Sequence, residues 1–158
     1  GAAPSPTPVA LQPPLAAGSA FEALQRLVSA LTQEDLAALP PLFTERGTWV
    51  NPVNHNSMPL FPHFRDRLRR LDYHQLADQV VLREAEAEVY VFDDLTNPLP
   101  GRPARPAEMG PSDLLLRVRV LVPRIGADRL FGDSLTLVMR PDSGRYRIHS
   151  LHEEFQLP

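Results

Sequence analysis

The run Leu114-Leu115-Leu116-Arg117-Val118-Arg119-Val120-Leu121-Val122 decides the fold class. In an extended chain Leu114, Leu116, Val118, Val120 and Val122 fall on one side. Leu115, Arg117, Arg119 and Leu121 fall on the other. Period-two alternation with charge on one side marks a strand with one face on a core and one toward solvent. The rhythm recurs on either side of this run. In Val80–Phe92, residues Ala85, Ala87, Val89 and Val91 oppose Glu84, Glu86, Glu88, Tyr90 and Phe92. Asp133–Arg140 and Arg145–Leu151 read as two further strands joined by the tight turn Asp142-Ser143-Gly144. In the last strand Tyr146, Ile148, Ser150 and His152 share a side, against Arg145, Arg147, His149 and Leu151.

The outer face so defined gathers Glu and Arg, interrupted by Leu115, Leu121, Tyr90 and Phe92. Cross-strand ion pairs on a wet surface fit this pattern, each worth roughly 0–1 kcal/mol. A homodimer interface fits it equally. Residues 93–113 hold five prolines and two glycines. A loop that long in a compact domain is either functional or mobile.

Helical spacing precedes the strands. Ser19 with Glu22 has capping-box spacing. Phe21, Leu24, Leu27, Val28 and Leu31 then mark one helical face. Thr32 and Asp35 repeat the start signal for a shorter helix with Leu36 and Leu39, interrupted at Pro40-Pro41 and completed by Leu42-Phe43. Gly47 ends the helical part, and Thr48–Asn51 reads as a short strand closed by Pro52. After a loop to Pro62, a third helix carries Phe64, Leu68 and Leu71 on one face, with Arg65, Arg69 and Arg70 off it. The fold class expected is α+β: a curved antiparallel sheet wrapped by N-terminal helices.

Residues 1–18 (GAAPSPTPVALQPPLAAG) are uncharged, rich in Pro and Ala, and without periodicity. They read as a disordered tail or tether before a single domain over 19–158. With 43% apolar and 22% charged residues the remainder is globular. A net charge of −3 gives no electrostatic reason to expect nucleic acid or an anionic membrane. The absence of cysteine removes disulfides and thiolate chemistry. All 16 basic residues are arginine, a coding bias that points to a bacterial source. A chain opening on Gly1 instead of Met implies a removed leader. Periplasmic or secreted placement follows as an expectation, cytoplasmic as its alternative, with any membrane attachment through that removed anchor.

Two short pieces resemble a known family. Leu42-Phe43 followed by Trp49 resembles the entry into the first strand of the nuclear transport factor 2-like superfamily. Tyr146-Arg147-Ile148-His149-Ser150-Leu151-His152 resembles its final strand, often W-R-I-V-H-x-H. The resemblance covers about residues 19–157, and the family it points to includes ketosteroid isomerase and polyketide cyclases. It implies a cone with a pocket between the concave sheet face and the helices. Members use that pocket for isomerisation, cyclisation, hydration or ligand binding; others fill it and serve as dimers or scaffolds.

An isomerase of this kind needs a carboxylate base and an acidic donor inside an apolar pocket. Here the expected inner face is almost wholly aliphatic. Asp93, Asp94, Asp113 and Asp133 fall at strand ends, Glu153 and Glu154 beyond the last strand. His152 is the catalytic candidate, placed inward by alternation at the position matching the family's terminal histidine. Trp49, Asn51, Tyr73, Tyr146 and His152 are the ligand-binding candidates, set against ordinary duties such as core packing for Trp49 and a turn cap for Asn51. His149 and His152 face opposite ways, and His55 and His63 lack a third ligand, so no metal is expected. The cluster Arg65, Arg67, Arg69 and Arg70, diluted by Asp66 and Asp72, reads as a solvated helix face. No cofactor motif is present. The expectation is a non-catalytic binding or assembly module, with a mostly apolar pocket for a small ligand or a partner surface on the sheet. The alternative is a small-molecule isomerase, cyclase or hydratase using His152 in the cone pocket.

Overall fold

The computed structural model describes residues 15–156. The tail expected over 1–18 therefore lies mostly outside the described residues. Its end does not: Leu15 packs on the core and the helix α1 begins at Ala17. In order follow α1 (Ala17–Thr32), β1 (Phe43–Val50), β2 (Ser57–Pro59), α2 (Leu60–Arg70), β3 (Glu88–Val91), β4 (Leu114–Arg119), β5 (Arg124–Ile125), β6 (Asp128–Arg129), β7 (Ser134–Asp142) and β8 (Arg145–Glu154). Short 3₁₀ turns link several of them. No helix is long and apolar enough to cross a membrane among the described residues.

Six strands form one sheet in the order β2-β1-β8-β7-β4-β3, with β5 and β6 a separate hairpin. Neighbours are antiparallel except β1 and β8, which run parallel, so the sheet is mixed and not wholly antiparallel as expected. The helix α1 lies across β8 and β4, and α2 across β1. The alternation reading holds in the middle: Leu116, Leu137 and Leu151 lie in one row, facing the helices with Leu24, Leu27, Leu31 and Phe64.

Four local expectations need correction. The N-cap of α1 is Ala16, with no side-chain cap, so Ser19 and Glu22 lie inside the helix and form no capping box. Nothing after Pro14 breaks a helix, and Leu15 draws the chain onto the core. The second helix is two 3₁₀ turns, Leu36–Ala38 and Pro40–Leu42, because paired prolines cannot extend an α-helical ladder. Phe43 opens a strand that runs through Gly47. A Cβ at Gly47 would stand 2.8 Å from Leu60 Cδ1 and 3.1 Å from the Ile148 carbonyl oxygen, so glycine permits that approach. Finally, only Glu88–Val91 of the run Val80–Phe92 is a strand; Val81 makes a single backbone bond to Leu121 and Glu84–Glu86 is a turn.

The correction with most consequence lies in β8. Val138 pairs with Ser150, but Met139 pairs with Ile148. His149 is therefore an extra residue, a β-bulge, and it reverses the alternation beyond it. Tyr146 and Ile148 face inward before the bulge, Leu151 and Glu153 after it. Ser150 and His152 turn to the outer face with Val138 and Thr136.

Candidate functional site

The bulge that turns His152 out turns Glu153 in. Glu153 is 1% exposed. Opposite it, α2 presents Leu60, His63, Phe64 and Arg67, the i, i+3, i+4, i+7 positions of one helical face. Arg67 is thus buried, where the sequence reading placed a solvated arginine cluster. Its guanidinium forks onto Glu153, NH1 donating to Oε2 and NH2 to Oε1 at 3.2 Å. The Nε donates to the Tyr73 hydroxyl at 2.9 Å, NH1 also reaches His63 Nε2 at 3.2 Å, and NH2 donates to the Leu130 carbonyl. Tyr73 OH donates to that same carbonyl. Glu153 further accepts from Trp49 Nε1 at 2.8 Å and from the Gly132 amide at 3.1 Å. The five N–H donors of the guanidinium and about four acceptor positions of the carboxylate are all engaged.

The electrostatics follow from this crowding. Burial would push Glu153 up, but the Arg67 charge and the donors from Arg67, Gly132 and Trp49 outweigh it, so its carboxyl is held below its ordinary range. Burial would weaken the Arg67 cation, and Glu153 beside it more than compensates. Burial, then the Arg67 charge, lowers His63 from 6.5 to about 4. His63 is therefore neutral near pH 7, accepts from Arg67, and stacks on Trp49 with ring centroids 3.9 Å apart. Gly132 is required at its place: a Cβ there would lie 2.8 Å from the Glu154 carbonyl oxygen and 2.9 Å from Glu153 Cβ.

Beside this cluster the cone is filled. Leu116, Leu135, Leu137, Val118 and Leu151 are 0–1% exposed. A void admitting a water-sized sphere, open or enclosed, would leave its lining with accessible surface. Open space lies on the exterior instead. One groove of about 340 Å³ runs between α1 and residues 76–82, lined by Val28, Leu76, Val81 and Leu82 with Asp78 its sole ionisable residue.

The five candidates do not converge. Trp49 and Tyr73 meet through Arg67 and Glu153, as members of a saturated network. Asn51 caps its own turn, Oδ1 accepting from the Val53 and Asn54 amides at 2.8 and 3.3 Å. Tyr146 is buried at the other end of β8, its hydroxyl 3.4 Å from the Leu15 carbonyl oxygen. His152 lies on the outer face, so the inward placement is corrected; its Nε2 is 2.6 Å from Glu108 Oε1.

Glu108 belongs to residues 93–113, which form a strap over the outer face. Leu95 and Met109 pack on Leu115 and Val138, flanked by Tyr90 and Phe92. Asp113 receives Arg140 through Nε and NH2 at 3.0 and 2.8 Å, and caps the Gly110 amide at 2.7 Å. Arg105 lies over the Phe92 ring at 4.1 Å. The His152 hydrogen bond holds Glu108 down from 4.5 to about 2. Beneath the strap the Thr136 hydroxyl is buried without a hydrogen-bond partner. Elsewhere Glu34, Asp72 and His74 offer donor atoms within 4.8 Å of one another, a group the sequence reading missed. Its carboxylates already accept the Tyr73 and His74 amides.

No protein-family model matches the sequence, and no curated protein matches it. Solved structures do. A crystal structure from Novosphingobium aromaticivorans, provisionally described as an aromatic ring hydroxylase, aligns over 89% of this chain and 88% of its own at 13% identity, with a TM-score of 0.51. A nuclear transport factor 2-like protein of unknown function from Shewanella baltica aligns over 89% and 94% at 14% identity and TM-score 0.43. An uncharacterized protein with a cystatin-like fold from Caulobacter vibrioides aligns over 89% of both chains at 16% identity and TM-score 0.47. The chain has the nuclear transport factor 2-like fold. At such identities the likeness is one of architecture, and function must be argued from the residues of this chain itself.

Proposed function

We propose that this nuclear transport factor 2-like domain is a non-catalytic binding or assembly module that works through its surface, chiefly the outer face of the sheet. One observation carries the reading: the inner carboxylate Glu153 and its partner Arg67 have every hydrogen-bonding position engaged, inside a cone filled by aliphatic side chains. A base that abstracts a substrate proton needs a free lone pair beside open volume. A small apolar ligand, on this reading, uses the exterior groove along α1. Export, expected from the sequence, remains part of the proposal.

A second reading is favoured by the His152–Glu108 pair at 2.6 Å, the geometry of a carboxylate-oriented base. A small-molecule isomerase, cyclase or hydratase would then act on the outer face and not in the cone. Thermal-shift measurements against steroid, polycyclic aromatic and fatty-acid panels separate the readings. The binding-module reading expects no ligand whose contacts map to Leu137, Leu151 or Glu153. A ligand that raises the melting temperature and perturbs those residues would overturn it.

A further inference from the structure

The strap puts two carboxylates and one apolar side chain onto matching groups of the sheet. Glu108 meets His152 at 2.6 Å, Asp113 meets Arg140 at 2.8 Å, and Met109 fills the step between Leu115 and Val138. His152 pairs with Thr136, four residues along β7 from Arg140, which separates the two side chains by about 13 Å along the strand. The carboxylates of Glu108 and Asp113 are five residues apart in the chain and bridge that span. We propose that this strip of the outer face is a docking surface for an acidic segment of a partner protein, and that the strap is its intramolecular occupant. The inference rests on the reading that the outer face is the working surface.

Charge complementarity names the partner. The segment that fits carries an acidic residue next to an apolar one, with a second acidic residue five positions after the first. The buried Thr136 hydroxyl supplies a donor to such a segment. The Glu108–His152 latch is at the surface, its side chains 27% and 32% exposed, whereas Asp113, the partner of Arg140, is 2% exposed. A competitor reaches the Glu108–His152 latch without opening the core. A covalently attached occupant acts at millimolar effective concentration, so the free surface is hidden until the strap is displaced or unlatched.

The test uses a fluorescein-labelled octapeptide copying residues 106–113 (PAEMGPSD) and full-length protein, read by fluorescence anisotropy. Wild type is expected to bind only at millimolar peptide. The unlatched variant Glu108→Gln/Met109→Ser is expected to bind at least about tenfold more tightly, as the intramolecular competitor is lost. Adding His152→Ala returns affinity to the wild-type level, and a peptide with Gln and Asn for Glu and Asp fails to bind. Equal affinity for wild type and a folded unlatched variant, or binding unmoved by His152→Ala, overturns the proposal. Should the unlatched variant not fold, hydrogen exchange of wild type decides. Strap amides that open well before those of β7 and β8 support a displaceable occupant, and strap amides that open only with global unfolding overturn it. A ligand found inside the cone would sink the surface reading while leaving these peptide results to be judged separately.

Discussion

Arg67 and Glu153 are each tolerable inside the protein only because of the other. Burying a charge in a medium of low polarity is costly unless it is paired and hydrogen-bonded. Arg67→Met or Glu153→Gln alone is therefore expected to cost about 3–5 kcal/mol, because the remaining partner stays buried and uncompensated. The double replacement Arg67→Met/Glu153→Met should cost well under the sum, measured by urea unfolding of the four proteins. Additive, sub-kilocalorie effects would show that the pair is not a strut. His63 adds a pH dependence. Its pKa is about 4 folded against 6.5 unfolded, so the unfolded chain binds more protons between those values. Stability is full above pH 6.5 and falls as pH drops toward 4, by roughly 3 kcal/mol at 1.36 kcal/mol per unit. Arg67, Glu153, Arg70 and Asp66 are the charged groups that face it. Glu108 acts in the same direction, over the lower window from 4.5 to about 2. His63→Gln should flatten the slope between pH 6.5 and 4, and an unchanged slope would assign it to other groups. The burial of Arg67 was legible in the helical spacing with Leu60, His63 and Phe64, but it sits among Arg65, Arg69 and Arg70, and composition disguised it.

At the scale of elements, the bulge at His149 decides which side chains see the core. The strands β4, β7 and β8 were readable, since one face of each is apolar. The bulge was not, because Arg145–His152 alternates without a break when read from its start. The signal was the spacing of three, not two, between the buried residues Ile148 and Leu151. Deleting His149 would leave Ile148, Ser150 and Leu151 in regular alternation, with Leu151 and Glu153 still inward and His152 outward, so cooperative unfolding followed by circular dichroism should survive. A deletion variant that no longer unfolds cooperatively would contradict the bulged register of β7 and β8. Gly132→Ala forces a Cβ against Glu153 and the Glu154 carbonyl, with an expected loss of about 1–3 kcal/mol in urea unfolding. A loss below about 0.5 kcal/mol would mean the neighbouring backbone yields easily.

For the whole molecule, the same fold that can hold a pocket is closed from within. The aliphatic inner face was evident from alternation in Leu114–Val122. The carboxylate on that face was not, since Glu153 appeared to lie past the end of the last strand, whereas β8 runs on to Glu154. The role of residues 93–113 was also out of reach of local sequence, because Glu108 and Asp113 find their partners 44 and 27 residues away. The parallel pairing of β1 with β8 is another such long-range outcome. The central claim is that the cone holds no open volume, and the most direct measurement is a crystal structure of the full chain under xenon pressure, since xenon enters dry apolar cavities. No xenon between Leu137, Leu151 and Arg67 is the expected result; an ordered xenon atom at that place would contradict a filled cone and return the search for function to its interior.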